Sequence, residues 1–264
     1  MKYTLCIVII FCFSCSRPPY SASNKLYKKQ SKQLAAILKT YPLADSLSNA
    51  AFIGTTNFNL RKPNFVIIHH TAQNSCEQTL QIFTKKTSQV SAHYVICKDG
   101  TIHHMLNDYM RAWHAGLGKW GNDADINSSS IGIELDNNGY EAFTPEQISS
   151  LLKLLSGLKK QYNIPQPNFI GHADIAPSRK IDPNVQFPWK QLAENGFGHW
   201  YDDTTNLTLP SNFNHLQALR IIGYDVKDST AAIIAFKRHW LTDTLPGLDS
   251  SRYKVLLQVM KKYE

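Results

Sequence analysis

Two distant segments, FVIIHHTA over 65–72 and GHADIAPSRKIDP over 171–183, together offer His69 or His70, His172 and Asp182. Two imidazoles and one carboxylate are the ligand set of a hydrolytic zinc site, with one coordination position left for water. Lys180 lies two residues before the carboxylate and brings a cation to the same place. A third segment, SIGIELDN over 130–137, supplies Glu134 as a candidate general base. Metal ligands, base and cation together describe a hydrolase.

These residues need a scaffold that brings them together. Side chains alternate along a strand. In 131–136 the apolar residues Ile131, Ile133 and Leu135 therefore share one face, while Glu134 and Asp136 share the other with Gly132. His69 and His70 close a strand from Phe65 and point to opposite faces, so only one of them should be a ligand. The apolar residues of that strand point both ways, as in a strand covered on both sides. Phe169–Ile170 is a short strand that leads into Gly171-His172, so His172 also sits at a strand end. Alone, each of these residues reads as structural or solvated. The argument rests on the set.

The remaining elements follow from periodicity and punctuation. Residues 76–86 are helical. Residues 92–97 and 101–105 flank Asp99-Gly100, a hairpin signal. Thr144 and Pro145 open a long amphipathic helix to about Tyr162. Residues 188–194 form a short helix. Strands alternating with helices predict an α/β fold, a central mixed β-sheet flanked by helices with the zinc site at the sheet edge. This catalytic region covers 41–204. Beyond it, Leu216–Ile222, Ser229–Trp240 and Ser250–Tyr263 read as three helices without strands, a small C-terminal three-helix module over 205–264.

The N-terminus is different. One lysine, an apolar run from Leu5 to Phe13 and then Ser14-Cys15 have the form of a secretory signal, too short for a mature membrane span. Cys15 resembles a bacterial lipoprotein acylation site, although Cys12 and Phe13 depart from the usual residues. Residues 1–15 are read as signal and lipobox, and 16–40 as a tether with a helix from Asn24 to Leu38. Of the five cysteines, Cys76 and Cys97 lie in the folded region. They could bridge, but two buried thiols are the expected state.

The composition, 43% apolar and 11% aromatic, supports a real core and excludes global disorder. The formal charge is +8, and removal of Lys2 with the signal leaves 27 basic against 20 acidic residues. A basic exported chain suits an anionic envelope polymer or lipid surface. The lysines read as scattered, and no nucleic-acid motif is present. SAHY around His93 and AWHAG around Trp113 and His114 pair histidines with aromatics, which are natural surfaces for sugar rings and peptide stems. His103-His104 reads as a solvated or core pair.

The set FVIIHHTA, SAHYVI, AWHAG, SIGIELDN, FTPEQI and GHADIAPSRKIDP resembles the zinc-dependent N-acetylmuramoyl-L-alanine amidases of the amidase-2 family, related to peptidoglycan recognition proteins. It is most similar to their outer-membrane lipoprotein branch. Asn184 stands where that branch usually has glycine. The resemblance implies Zn2+ held by His69, His172 and Asp182, with Glu134 as base and Lys180 steadying the oxyanion. His93, Trp113 and His114 would line the substrate. The reaction implied is hydrolysis of the amide between the N-acetylmuramic acid lactyl group and L-alanine, in peptidoglycan or muropeptides during cell-wall turnover. The implied location is the periplasm, on a lipid anchor at Cys15, with no nucleic-acid partner. The C-terminal helices more weakly resemble a peptidoglycan-binding module. Two rival readings are a non-catalytic peptidoglycan-binding protein and an iron(II) oxygenase built on His172, Asp174 and His199 or His215.

Overall fold

The computed structural model describes residues 18–38, 55, 57, 60 and 62–264. The signal segment 1–15, with Cys15, lies outside the described residues. Two compact units divide the chain, Met1–Asn57 and Phe58–Glu264. Of the first, the structure describes one helix, α1 (Ser21–Ile37), which begins three residues before the expected Asn24.

In the second unit the short apolar runs become five strands: β1 (Phe65–His70), β2 (Tyr94–Ile96), β3 (Ile102–His104), β4 (Ser130–Leu135) and β5 (Phe169–Gly171). Their order is β3-β2-β4-β1-β5. β1 runs parallel to β4 and β5, β2 runs parallel to β4, and only the β2–β3 hairpin is antiparallel. The sheet is therefore mixed, as expected. The hairpin turns at Gly100, whose φ of +86° is open to glycine at little cost.

Each face of the sheet carries its own core. Val66, Ile68, Ile131, Ile133 and Leu135 pack against α4 (Pro145–Tyr162) through Ile148, Leu151, Leu155 and Leu158. The start of α4 follows the sequence rule: the Thr144 side chain accepts from the Gln147 amide at 3.2 Å, and Pro145 occupies the first turn. On the other face Ile67 and Ile170 pack with Leu219 and Ile222 of α7 (His215–Ile222), Ala235, Phe236 and Trp240 of α8 (Ser229–Leu241), and Leu256 and Val259 of α9 (Ser250–Met260). The three C-terminal helices thus share one hydrophobic core with this face of the sheet. Residues on both sides of 205 contribute to this core.

Connecting helices α2 (Cys76–Phe83), α3 (Ile126–Ser129), α5 (His172–Ile175) and α6 (Trp189–Glu194) are short. The thiol expectation is corrected: Cys76 and Cys97 form a disulfide, with Cα atoms 5.3 Å apart. The first residue of α2 and the residue after β2 are brought side by side by the sheet, which sequence spacing alone does not reveal. Cys76 and Cys97 are spent on each other, so the nearby His103 gains no metal-ligating partner from them.

Candidate active site

Parallel pairing sets the site. His69 stands opposite Glu134 in register, and Ile68 opposite Gly171, so the ends of β1, β4 and β5 lie side by side. Ligand sites in such sheets form beyond the carboxyl ends of the strands. His69, Glu134 and Gly132 share one face. His70 points the other way and accepts the Asn184 amide on Nδ1 at 3.1 Å, so it is His69 that joins His172 and Asp182.

Three buried ligand atoms converge. His69 Nδ1 lies 2.9 Å from His172 Nδ1 and 3.0 Å from Asp182 Oδ2, and His172 Nδ1 lies 2.9 Å from the same oxygen. The Ala173 amide, donating to the Asp182 carbonyl at 2.7 Å, ties α5 to the loop that delivers the carboxylate.

The hydrogen bonds behind the ligands assign their tautomers. The Ile126 carbonyl can only accept, so the Ser130 hydroxyl donates to it. The same oxygen then accepts from His114 Nε2 at 3.1 Å, which leaves His114 Nδ1 to accept from His69 Nε2 at 3.0 Å. His69 Nδ1 is left with a lone pair facing the site. The Ala115 carbonyl, 3.1 Å from His172 Nε2, fixes the second imidazole in the same way. Two lone pairs and a carboxylate oxygen within about 3 Å repel one another unless a cation or proton sits among them. The donor set fits a metal with ligand bonds of about 2.0–2.2 Å.

Electrostatics agree. Burial, reinforced by neighbouring His172, pushes His69 down to about 4. Burial and the charge of His69 hold His114 well below the usual imidazole range, so it acts as a neutral link. Burial works against the Asp182 charge, but the neighbouring His172 and His69 rings overcome it and hold the carboxyl far below the carboxylate range. Glu134 is pushed up to about 8 by burial, then by Asp182, with Lys180 opposing. Its Oε2 is buried without a partner, an acceptor aimed into the site. Lys180 is half-buried, and its charge bears on both Glu134 and His69.

The expected substrate wall divides. Trp113 is 53% exposed and open to a ligand. His93 is fully buried, with Nδ1 accepting the Gly132 amide at 3.0 Å and Nε2 bonded to the Met110 carbonyl at 2.9 Å. His114 is buried behind His69. Both support the site from within, a correction of their expected place on the wall. The physical reason is Gly132: a Cβ there would lie 2.4 Å from the His114 ring, so the absent side chain makes the room that the imidazole fills. That glycine inside an apolar strand was the signal in the sequence.

Two further features escaped sequence reasoning. Asn127 Oδ1 accepts both the His114 and Ala115 amides, at 3.0 and 2.9 Å, and so shapes the AWHAG loop. Asp174, two residues past His172, accepts from the Gly171 amide, Tyr224 and His239 at 2.8, 2.7 and 2.7 Å. It joins the ligand segment to the C-terminal helices. With Asp174 so engaged, and His199 and His215 packed on Tyr263 and Tyr253, the oxygenase triad does not assemble.

Known proteins resemble this chain in sequence and fold. Residues 59–185 match the N-acetylmuramoyl-L-alanine amidase family. The N-acetylmuramoyl-L-alanine amidase AmiD of Escherichia coli is 33% identical over 230 residues, covering 75% of this chain and 82% of that protein. This chain belongs to the N-acetylmuramoyl-L-alanine amidase family. The 1,6-anhydro-N-acetylmuramyl-L-alanine amidase AmpD of Haemophilus influenzae is 39% identical over 104 residues, covering 39% of this chain and 56% of that protein. Among solved structures, AmiD bound to its substrate anhydro-N-acetylmuramic acid-L-Ala-D-gamma-Glu-L-Lys is similar with a TM-score of 0.68 at 30% identity, over 80% of this chain and 93% of that one. AmpDh3 of Pseudomonas aeruginosa is similar with a TM-score of 0.70 at 28% identity, over 84% and 99%. Both structures cover more of this amidase than the 59–185 of the family match.

Proposed function

We infer that this amidase hydrolyses the amide bond between the lactyl group of N-acetylmuramic acid and L-alanine, in peptidoglycan or muropeptides, with zinc held by His69, His172 and Asp182. The observation that carries the reading is the convergence of three proton-free ligand atoms beside an unpartnered Glu134 oxygen. When bound, the ion supplies Lewis acidity, acidifying water and polarising a carbonyl.

The chain's own groups do the rest. Glu134 Oε2 takes a proton from the attacking water and hands it to the departing alanine nitrogen. Positive charge favours the ionised form that this role requires, and Lys180 already provides some. The same ammonium offsets negative charge as the carbonyl oxygen becomes an oxyanion. The relay His69–His114–Ser130–Ile126 keeps His69 in the tautomer that binds a cation. Trp113 offers an exposed aromatic face to sugar or peptide.

The relatives named for anhydro-muropeptide cleavage support a role in cell-wall turnover. The signal-like N-terminus supports export to the periplasm, with Cys15 acylated and the chain held at the outer membrane. The helices of 205–264 are proposed to add contacts to peptidoglycan. Mass spectrometry of products from purified sacculi and from anhydro-muropeptides tests the reading. Free stem peptides beginning with L-alanine support it. A purified, zinc-loaded protein that releases none from either substrate overturns it and leaves a binding protein.

A further inference from the structure

The excess positive charge of this chain is not spread over it. Residues 58–264 hold 21 basic and 19 acidic residues, close to balance. Residues 16–57 hold Arg17, Lys25, Lys28, Lys29, Lys32 and Lys39 against Asp45 alone. Sequence reading by overall charge saw scattered lysines. Divided by unit, the charge belongs to the segment around α1.

α1 has the form of a two-sided helix. Its 17 residues, SASNKLYKKQSKQLAAI, include no acid, and none is buried. At about 100° per residue, its four lysines fall within an arc of about 100°. Leu26, Tyr27, Leu34, Ile37 and the adjoining Leu38 fall within an arc of about 120° on the opposite side. These apolar residues are 36–77% exposed. A helix of a globular domain hides such a stripe against a core.

We propose that α1 lies along an anionic phospholipid surface, with its leucine side in the acyl boundary and its lysines at the headgroup phosphates. Three observations choose this occupant. Charge without any acid selects an anionic partner. A stripe about 18 Å long, Leu26 to Leu38, needs an apolar sink, which a glycan strand lacks. The helix also starts only eight residues after the apolar run ends at Phe13, so any lipid at Cys15 delivers it to the bilayer within about 20 Å. The helix then lies flat instead of standing as a spacer.

The test uses the chain from residue 15 onward with Cys15→Ser, which carries no acyl group. Flotation with vesicles of phosphatidylethanolamine containing about one quarter phosphatidylglycerol is compared with pure phosphatidylcholine vesicles. Binding to the anionic vesicles is expected to be at least about tenfold stronger and to weaken steeply with salt. The quadruple change of Lys25, Lys28, Lys29 and Lys32 to Gln, and separately Leu26→Gln with Leu34→Gln, should each reduce it at least about tenfold. Turnover of a soluble muropeptide stays unchanged in both, which shows the catalytic unit intact and keeps the test independent of the proposed anchor. Equal binding to both vesicle types, no binding, or variants that bind as the parent overturn the proposal. So does self-association, seen by analytical ultracentrifugation, that the leucine changes abolish, since the stripe would then meet a second copy. Binding to sacculi without binding to vesicles overturns it as well and assigns the charge to the wall.

Discussion

Gly132→Ala is the smallest change that should disable the proposed metal site without touching His69, His172 or Asp182. The new Cβ would meet His114 Cγ, Cδ2 and Nδ1 at 2.4, 2.6 and 2.7 Å, roughly 1 Å inside contact distance. β4 cannot yield, because parallel ladders to β1 and β2 hold it on both sides. The imidazole must move instead, and its Nδ1 is the acceptor for His69 Nε2 at 3.0 Å. A shift of about 1 Å breaks that bond and leaves a buried donor unpaired. Overpacking costs about 1–3 kcal/mol and the orphaned donor about 1–3 kcal/mol, so a loss on the order of 2–6 kcal/mol is expected. Metal affinity should fall about 10–100-fold, as when a hydrogen-bond partner of a ligand is removed. Urea unfolding of the metal-free protein reads the first effect, and competition for zinc against a chromophoric chelator reads the second. A Gly132→Ala protein with parental stability and zinc affinity would refute the claim that His114, seated over this glycine, orients His69.

Other expectations follow from the same geometry. Glu134→Ala should keep zinc, by metal analysis, yet lose about 10²–10⁴-fold in turnover of a muropeptide; near-parental turnover would remove Glu134 from the role of base. In metal-free protein the Glu134 carboxyl sits at about 8, above its ordinary 4.5, so the folded state keeps a proton that the unfolded chain has lost. The stability this provides is full below pH 4.5 and is lost as pH rises through 8. Glu134→Gln should therefore unfold at higher urea than the parent at pH 9, by on the order of 2–4 kcal/mol, and show little difference at pH 5. Tyr224→Phe removes a buried donor to Asp174 and should cost about 1.5–3 kcal/mol by denaturant titration. Serine at both Cys76 and Cys97 opens a loop of about 20 residues and should cost about 2–4 kcal/mol by the same measurement, with zinc affinity retained.

What the sequence made legible was what local rules control. Thr144-Pro145 marked the start of α4, and alternation in 131–136 put Glu134 on the face away from Ile131 and Ile133. The convergence of His69, His172 and Asp182 was legible because unusual residue types cluster at strand ends. The support behind them was not. His114 reads as an aromatic-rich loop residue until the sheet brings Gly132 beneath it, 18 residues away in the chain. Cys76 and Cys97 read as thiols because nothing local says that α2 starts beside the hairpin. Asp174 looked like the carboxylate of an iron triad, since its true partners, Tyr224 and His239, lie 50 and 65 residues further on. The charge of α1 was diluted by averaging over a nearly balanced catalytic unit.

The shared ceiling over Ile67 and Ile170 limits how this enzyme can be taken apart. Phe236, Leu219 and Leu256 are to those strands what α4 is to the opposite side. A chain stopped after residue 204 would leave greasy strand surface facing water and the Asp174 carboxylate stripped of two donors. Such a fragment is better understood as a broken whole than as a minimal catalyst, and melting of residues 58–264 should appear as one heat-absorption peak instead of two.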